Sequence, residues 1–167
     1  MKSLHSLLLL SLLNLSCAVQ KQTKAKSDDL KLSNLKENEK VIIYFTSKGC
    51  FHFQNEKYIF VDKAIEIYNI PISWSSDQKE IIEESPELLG KFILKENQLK
   101  KLDKLLLFYA KDKPGGCTTE DKVVIEKYIN NELKNTKNYT DASCSSDDQK
   151  DLVTFFKLKD DLNKQKK

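Results

Sequence analysis

Cys50 and His52 are the side chains best suited to nucleophilic or metal chemistry in this sequence. They stand two residues apart in Gly49-Cys50-Phe51-His52-Phe53-Gln54. On an extended strand, residues two apart project from one face. A thiol beside an imidazole can be activated as a thiolate nucleophile, or can supply part of a zinc site. Both chemistries need more. A thiol enzyme needs a third group to orient the imidazole, and zinc needs further ligands. The only other histidine is His5, in a segment that reads as a removable leader. With Phe51 and Phe53 interleaved, the stretch reads instead as a small buried thiol and a structural imidazole. Cys50 and His52 are kept as functional candidates, but no catalytic, cofactor-binding or metal-ligating residue is assigned and no cofactor is expected.

Three other groups are weighed the same way. Thr118-Thr119-Glu120-Asp121 offers hydroxyls and carboxylates but lacks the glycine and the regular oxygen spacing of a calcium loop, so a capped turn is expected. Glu80, Glu83, Glu84 and Glu87 read as a solvated acidic face. Trp74, the sole tryptophan, is expected in the core; exposed, it would be a binding anchor. The functional expectation is a non-enzymatic binding or structural module. The alternative is a secreted hydrolase or thiol enzyme using Cys50 and His52.

The chain start supplies an address. Met1-Lys2 precedes an apolar run from Leu4 to Leu15, and a small residue, Ser16, stands before Cys17. A positive start, a short apolar stretch and a small residue are the marks of a secretory signal, and the run is too short to span a bilayer as a helix. Leu13-Asn14-Leu15-Ser16-Cys17 resembles the lipobox of bacterial lipoproteins. That resemblance implies removal of residues 1–16, diacylation of Cys17, and attachment to the cell envelope at the outer membrane or cell surface. Asn14 departs from the pattern, which favours an aliphatic residue there. Residues 17–39 are mostly polar and read as a lipidated N-terminus and flexible tether.

The remaining chain, 40–163 before a basic tail at 164–167, has room for one core. All the basic residues are lysine, and the net charge is only +3. Both signs alternate along the chain, as on a solvated surface. With no arginine for bidentate phosphate contacts and a secretory address, a nucleic-acid partner is not expected. The expected partners are the membrane, through the N-terminal lipid, and an unidentified protein or envelope component.

The elements that must position these groups follow from periodicity. Lys40–Thr46, Cys50–Gln54 and Lys57–Val61 read as an antiparallel meander, and Ala64–Ile70 as a further strand before Pro71. Ser76 and Asp77 can cap a short helix through Glu84 that Pro86 would end. Leu99, Leu102, Leu105, Leu106 and Tyr109 form one stripe of a helix over Lys95–Lys111. Asn130-Asn131 suits a two-residue hairpin turn, which sets Ile129 opposite Glu132. Carried down both strands, that register sets Cys117 opposite Cys144, close enough for a disulfide. A bulge would slip the pairing by one residue and exchange the faces. A last helix follows Ser145 or Ser146, with Leu152, Phe155, Phe156 and Leu162 on its buried face. The expected fold is α+β: an antiparallel sheet, meander plus disulfide-clipped hairpin, with about two helices on one face. Cys50 is expected to be free.

Gly49-Cys50-Phe51-His52, the amphipathic helix, Gly116-Cys117-Thr118-Thr119-x-Asp121 and Ser143-Cys144 together resemble a group of small bacterial envelope lipoproteins. The resemblance covers 40–162. It implies location and architecture, and nothing about mechanism.

Overall fold

The computed structural model describes residues 31–50, 52–77, 80–143 and 155–164. The expected leader, Cys17, Cys144 and the residues expected to open the last helix, Ser145 to Leu152, lie outside the described residues.

Alternation builds the centre of the sheet. Strand β1 (Glu39–Lys48) buries Val41, Ile43, Phe45 and Ser47, one from every second position. Its neighbours are β2 (Phe53–Val61) and β7 (Glu120–Ile129), with Ile43 opposite both Tyr58 and Ile125. Strands β3 (Ala64–Asn69), β6 (Glu87–Ile93) and β8 (Glu132–Asp141) complete a six-stranded antiparallel sheet in the order β6-β3-β2-β1-β7-β8. Helix α1 (Glu96–Tyr109) lays its expected stripe, Leu99, Leu102, Leu105, Leu106 and Tyr109, on one face of this sheet. Leu158 and Leu162 of the last helix, α2 (Phe155–Lys164), join the same core. Each such side chain taken out of water contributes about 1.5–3 kcal/mol. The class is thus the expected α+β, antiparallel sheet with two helices. Asp103 ties a short 3₁₀ turn, Leu32–Asn34, to α1 by accepting from the Leu32 N–H at 2.6 Å and the Ser33 hydroxyl at 2.6 Å.

Four expectations are corrected. The segment expected as a short helix from Ser76 is a hairpin of β4 (Ile72–Trp74) and β5 (Ile81–Glu83). Ser75 and Asp77 close its loop instead of capping a helix: the Ser75 hydroxyl donates to Asp77 at 2.6 Å and accepts from the Glu80 N–H at 3.0 Å. Trp74, on that hairpin, is 61% exposed rather than core. Strand β2 begins at Phe53, so Cys50 and His52 precede it and do not share a strand face.

The fourth correction is the register. Asn130 and Asn131 form the expected turn, with φ of 54° and 65°. Ile129 faces Glu132, but a bulge follows: beyond Tyr128 opposite Leu133, Lys127 faces Asn135. The one-residue slip sets Tyr139 opposite Val123, on the core face, where it packs against the buried cluster. Without it, Tyr139 would point away and the strand would offer the core only polar residues. The unslipped register that set Cys117 against Cys144 is therefore not the one adopted.

Candidate functional site

One end of the sheet's buried face turns polar within a single row. Phe45, Val123 and Tyr139 occupy one level; the next carries Gln54, Ser47, Asp121 and Asp141, contributed in turn by β2, β1, β7 and β8. Strand periodicity drives Ser47 and Asp121 inward, because they share parity with Phe45 and Val123. A buried carboxylate is costly unless hydrogen bonds replace its water. Here they do. The Ser47 hydroxyl donates to Asp121 Oδ1 at 2.6 Å, and the Tyr109 hydroxyl, from the last turn of α1, donates to Oδ2 at 3.2 Å. His52 Nε2 lies 3.0 Å from Ser47 Oγ. Since the single hydroxyl proton goes to Asp121, the imidazole serves as donor to Oγ.

Burial pushes the Asp121 carboxyl above its usual range, an effect only partly offset by the Ser47 and Tyr109 hydrogen bonds. Burial, followed by the neighbouring Asp121 charge, raises Tyr109 far above an ordinary phenol. Asp141 behaves oppositely. Burial works upward on it, but hydrogen bonds from Lys113 and Ser143 outweigh that and hold it low. Lys113 Nζ stands 2.7 Å from Asp141 Oδ2, while the Ser143 hydroxyl and N–H donate to Oδ1 at 2.6 and 3.0 Å. The Lys113 ammonium also caps the Phe108 ring, 3.2 Å from its centroid. A second polar pair lies along β2, where the buried Tyr58 hydroxyl donates to Glu56, which also accepts from Gln54 Nε2 at 2.7 Å.

The strap leaving α1 holds this end shut. Lys113 N–H donates to the Thr140 carbonyl and Ala142 N–H to the Lys113 carbonyl, both at 2.9 Å, and Cys117 N–H donates to the Ala142 carbonyl at 3.1 Å. Gly115 lies so close to β8 that a Cβ there would meet the Ala142 carbonyl oxygen at 2.1 Å. Backbone cannot yield as a flexible side chain does. Gly115→Ala is therefore expected to lift the strap and lower stability by roughly 1–3 kcal/mol, measured by urea unfolding; an unchanged midpoint would show the contact to be loose.

Of the sequence candidates, His52 reaches this network and Cys50 does not. Cys50 is an exposed free thiol. Asp121, expected in a capped turn, sits at the start of β7 at the network's centre. Ser47, Tyr109, Lys113, Asp141 and Ser143 were not anticipated. Parity in Val41-x-Ile43-x-Phe45-x-Ser47 was the available signal for Ser47, as Asp121-x-Val123-x-Ile125 was for the inward placement of Asp121. Among the described residues, no three of His, Cys, Asp and Glu are grouped to hold a metal.

Ser47 is 0% exposed. A nucleophile must reach its substrate, and this hydroxyl has neither access nor a proton to lose to His52. The arrangement does structural work: it fixes the end of α1, the β1–β2 loop and the start of β7 to one another.

Beyond this row the chain offers a second feature, an arm. Strands β3 and β6 pair as far as Asn69 opposite Glu87, then continue past Pro71 and Pro86 into β4 and β5. Glu84 N–H donates to the Pro71 carbonyl at 2.9 Å across the break. Asn55 Nδ2 holds Glu83 at 3.1 Å, fixing the base of the arm to the main sheet. Trp74, Ile81, Ile82, Leu88 and Leu89 are all exposed on or beside it. No protein-family model matches the chain, and no curated protein matches it.

Proposed function

We propose that this chain is an exported, lipid-anchored binding protein of the cell envelope that grips a protein partner with the β4–β5 arm. On this reading residues 1–16 are a leader, Cys17 carries the acyl chains, and the polar stretch after it tethers a domain that starts earlier than residue 40, since Leu32 is already part of its core. The observation that carries the proposal is the exposed arm. A two-stranded hairpin is marginal by itself in water, and this one displays Trp74, Ile81 and Ile82 to solvent. Tryptophan is the side chain most often found as an interface anchor. Exposed Asp77, Glu80, Glu84 and Glu87 surround it, so the partner is expected to be apolar at the contact and basic at its rim.

The alternative, a hydrolase or thiol enzyme built on Cys50 and His52, draws on the meeting of His52 with a hydroxyl and a carboxylate. Complete burial of Ser47 and the absence of contact between Cys50 and that network weigh against it. The proposal also includes the Cys117–Cys144 clip. Cys117 N–H donates to the Ala142 carbonyl at 3.1 Å, which brings the strap beside the residues just before Cys144, and Cys50 is free.

Crosslinking in the native envelope tests the arm. Parent protein is expected to capture a partner that Trp74→Ser and Ile81→Ser lose, with the thermal midpoint unchanged because both side chains are already exposed. Equal capture by parent and variants would sink the arm as the contact. Intact mass after detergent extraction tests the anchor: a diacylated N-terminus at Cys17 is expected, and an unmodified chain starting elsewhere rejects it.

A further inference from the structure

We infer that Lys113 and Asp141 are poised to condense into an intramolecular amide, a second covalent clasp between the strap after α1 and the end of β8. Several ion pairs decorate this protein, but most are exposed: in Lys100–Glu96, for instance, both side chains are largely in water. Lys113–Asp141 is shielded, with side chains only 20% and 5% exposed, and its atoms stand 2.7 Å apart against 3.3 Å in the similarly shielded Lys127–Glu39 pair. Backbone hydrogen bonds on either side, Lys113 to Thr140 and Ala142 to Lys113, fix both ends. Neither partner has to search for the other, which is the largest entropic obstacle to a bimolecular step.

The two carboxyl oxygens of Asp141 are already differentiated. Oδ2 faces Nζ, while Oδ1 accepts from both the N–H and the hydroxyl of Ser143. The ion pair holds all the atoms the reaction needs. One proton moves from the ammonium to Oδ2, leaving a neutral amine beside a neutral acid. The Nζ lone pair attacks Cγ, and charge develops on Oδ1, where the two Ser143 donors stabilise it as an oxyanion hole does. A second Nζ proton passes to Oδ2, the Cγ–Oδ2 bond breaks, and one water leaves. No oxidant, reductant or external group is consumed.

Hydrogen bonds from Lys113 and Ser143 outweigh burial and hold the Asp141 carboxyl low, so the neutral pair that must form first is a transient one. Low exposure of both side chains makes it less costly than in water, because removing water penalises two charges more than two neutral groups. Asp121, opposite Asp141 in the β7–β8 register, adds a second buried carboxyl and so disfavours a further negative charge beside it. The Phe108 ring, against Nζ, keeps the amine dry while also holding the cation, so the ion pair remains the resting form. A slow reaction suffices, because each chain needs the bond once.

The test is a fragment map of the purified full chain after reduction and alkylation, which removes any disulfide link. Cleavage after glutamate gives fragments 97–120 and 133–167, separate unless joined by this bond. The expected result is a single joined species, lighter than the two fragments together by one water, with fragmentation assigning the link to Lys113 and Asp141. In Lys113→Arg, which keeps a cation beside Asp141 and should fold with the parent's circular dichroism spectrum, the joined species is expected to vanish. Separate fragments from aged parent protein would overturn the inference. So would a joined species that persists in Lys113→Arg, which would place the link at other residues.

Discussion

Replacing Cys117 or Cys144 by serine is expected to cost roughly 3–4 kcal/mol of folding free energy in a Lys113→Arg background, equally for the two positions. The proposed clip closes a long loop containing all of β7 and β8, and closing such a loop removes chain entropy from the unfolded state. That loss is a large share of the about 5–15 kcal/mol by which a domain is typically stable. The backbone geometry supports the pairing even though the bulge displaced the simplest register. Cys117 donates to the Ala142 carbonyl at 3.1 Å, so the strap runs beside the residues just before Cys144. Cys50→Ser should change little, because that thiol is exposed and free. In the parent background the Lys113–Asp141 amide would close nearly the same loop, and the cysteine substitutions should then cost less. The difference between backgrounds measures the coupling of the two clasps. Chemical unfolding of the four combinations reads it directly. A Cys50→Ser chain as unstable as Cys117→Ser, or a non-reduced peptide joining Cys50 to another cysteine, would show that the wrong thiols were paired.

What the sequence made legible was whatever repeats with a period. The Leu99 to Tyr109 stripe and the alternation in β1 each carry many residues with one message, so helix α1 and the central strand could be read directly. The Asn130-Asn131 turn was legible because few residues tolerate positive φ twice in succession. The arm was not. Ser75, Asp77 and Glu80 suit a helix start and a hairpin loop equally, and only the pairing of Ile72 with Glu83 decides between them. Trp74 was misassigned by a related error: a large apolar residue is usually buried, but this one stands on a two-stranded hairpin outside the six-stranded sheet. The polar row was half visible. Parity alone sends Ser47 and Asp121 inward, but pairing His52, Tyr109 and Asp121 requires knowing where α1 ends over the sheet, and no local pattern encodes that. The bulge at Lys127 and Tyr128 is a compromise between turn geometry and the need to bury Tyr139, and it too exists only at the level of packing.

Asp121 should be the position in the polar row at which substitution is felt most. Asp121→Ala removes the acceptor shared by the fully buried Ser47 hydroxyl and the buried Tyr109 hydroxyl. Each hydrogen bond to a carboxylate so lost costs about 1.5–3 kcal/mol, so the expected loss approaches that of the disulfide. Asp121→Asn keeps an oxygen for one donor and should lose much less. The same pair of proteins yields a pH signature. Burial raises the folded-state pKa of Asp121 above its unfolded value, so the folded chain holds that proton more tightly. The stability this linkage provides is fully present below the ordinary aspartate range and is lost as pH rises through the raised folded value. Asparagine does not titrate. Relative to the parent, Asp121→Asn should therefore gain stability as pH rises through that window and reach a plateau above it. Asp141, whose carboxyl is held low mainly through Lys113, loses its contribution in the opposite direction, as pH falls. Whether free or joined to Lys113, it is the same in both chains, so its effect largely cancels in the difference between them. Urea unfolding of parent and Asp121→Asn, from below the aspartate range to neutrality, measures that difference. A gap that stays constant with pH would mean that water or a counter-charge reaches Asp121, and that the row is not the dry hydrogen-bonded lock described here.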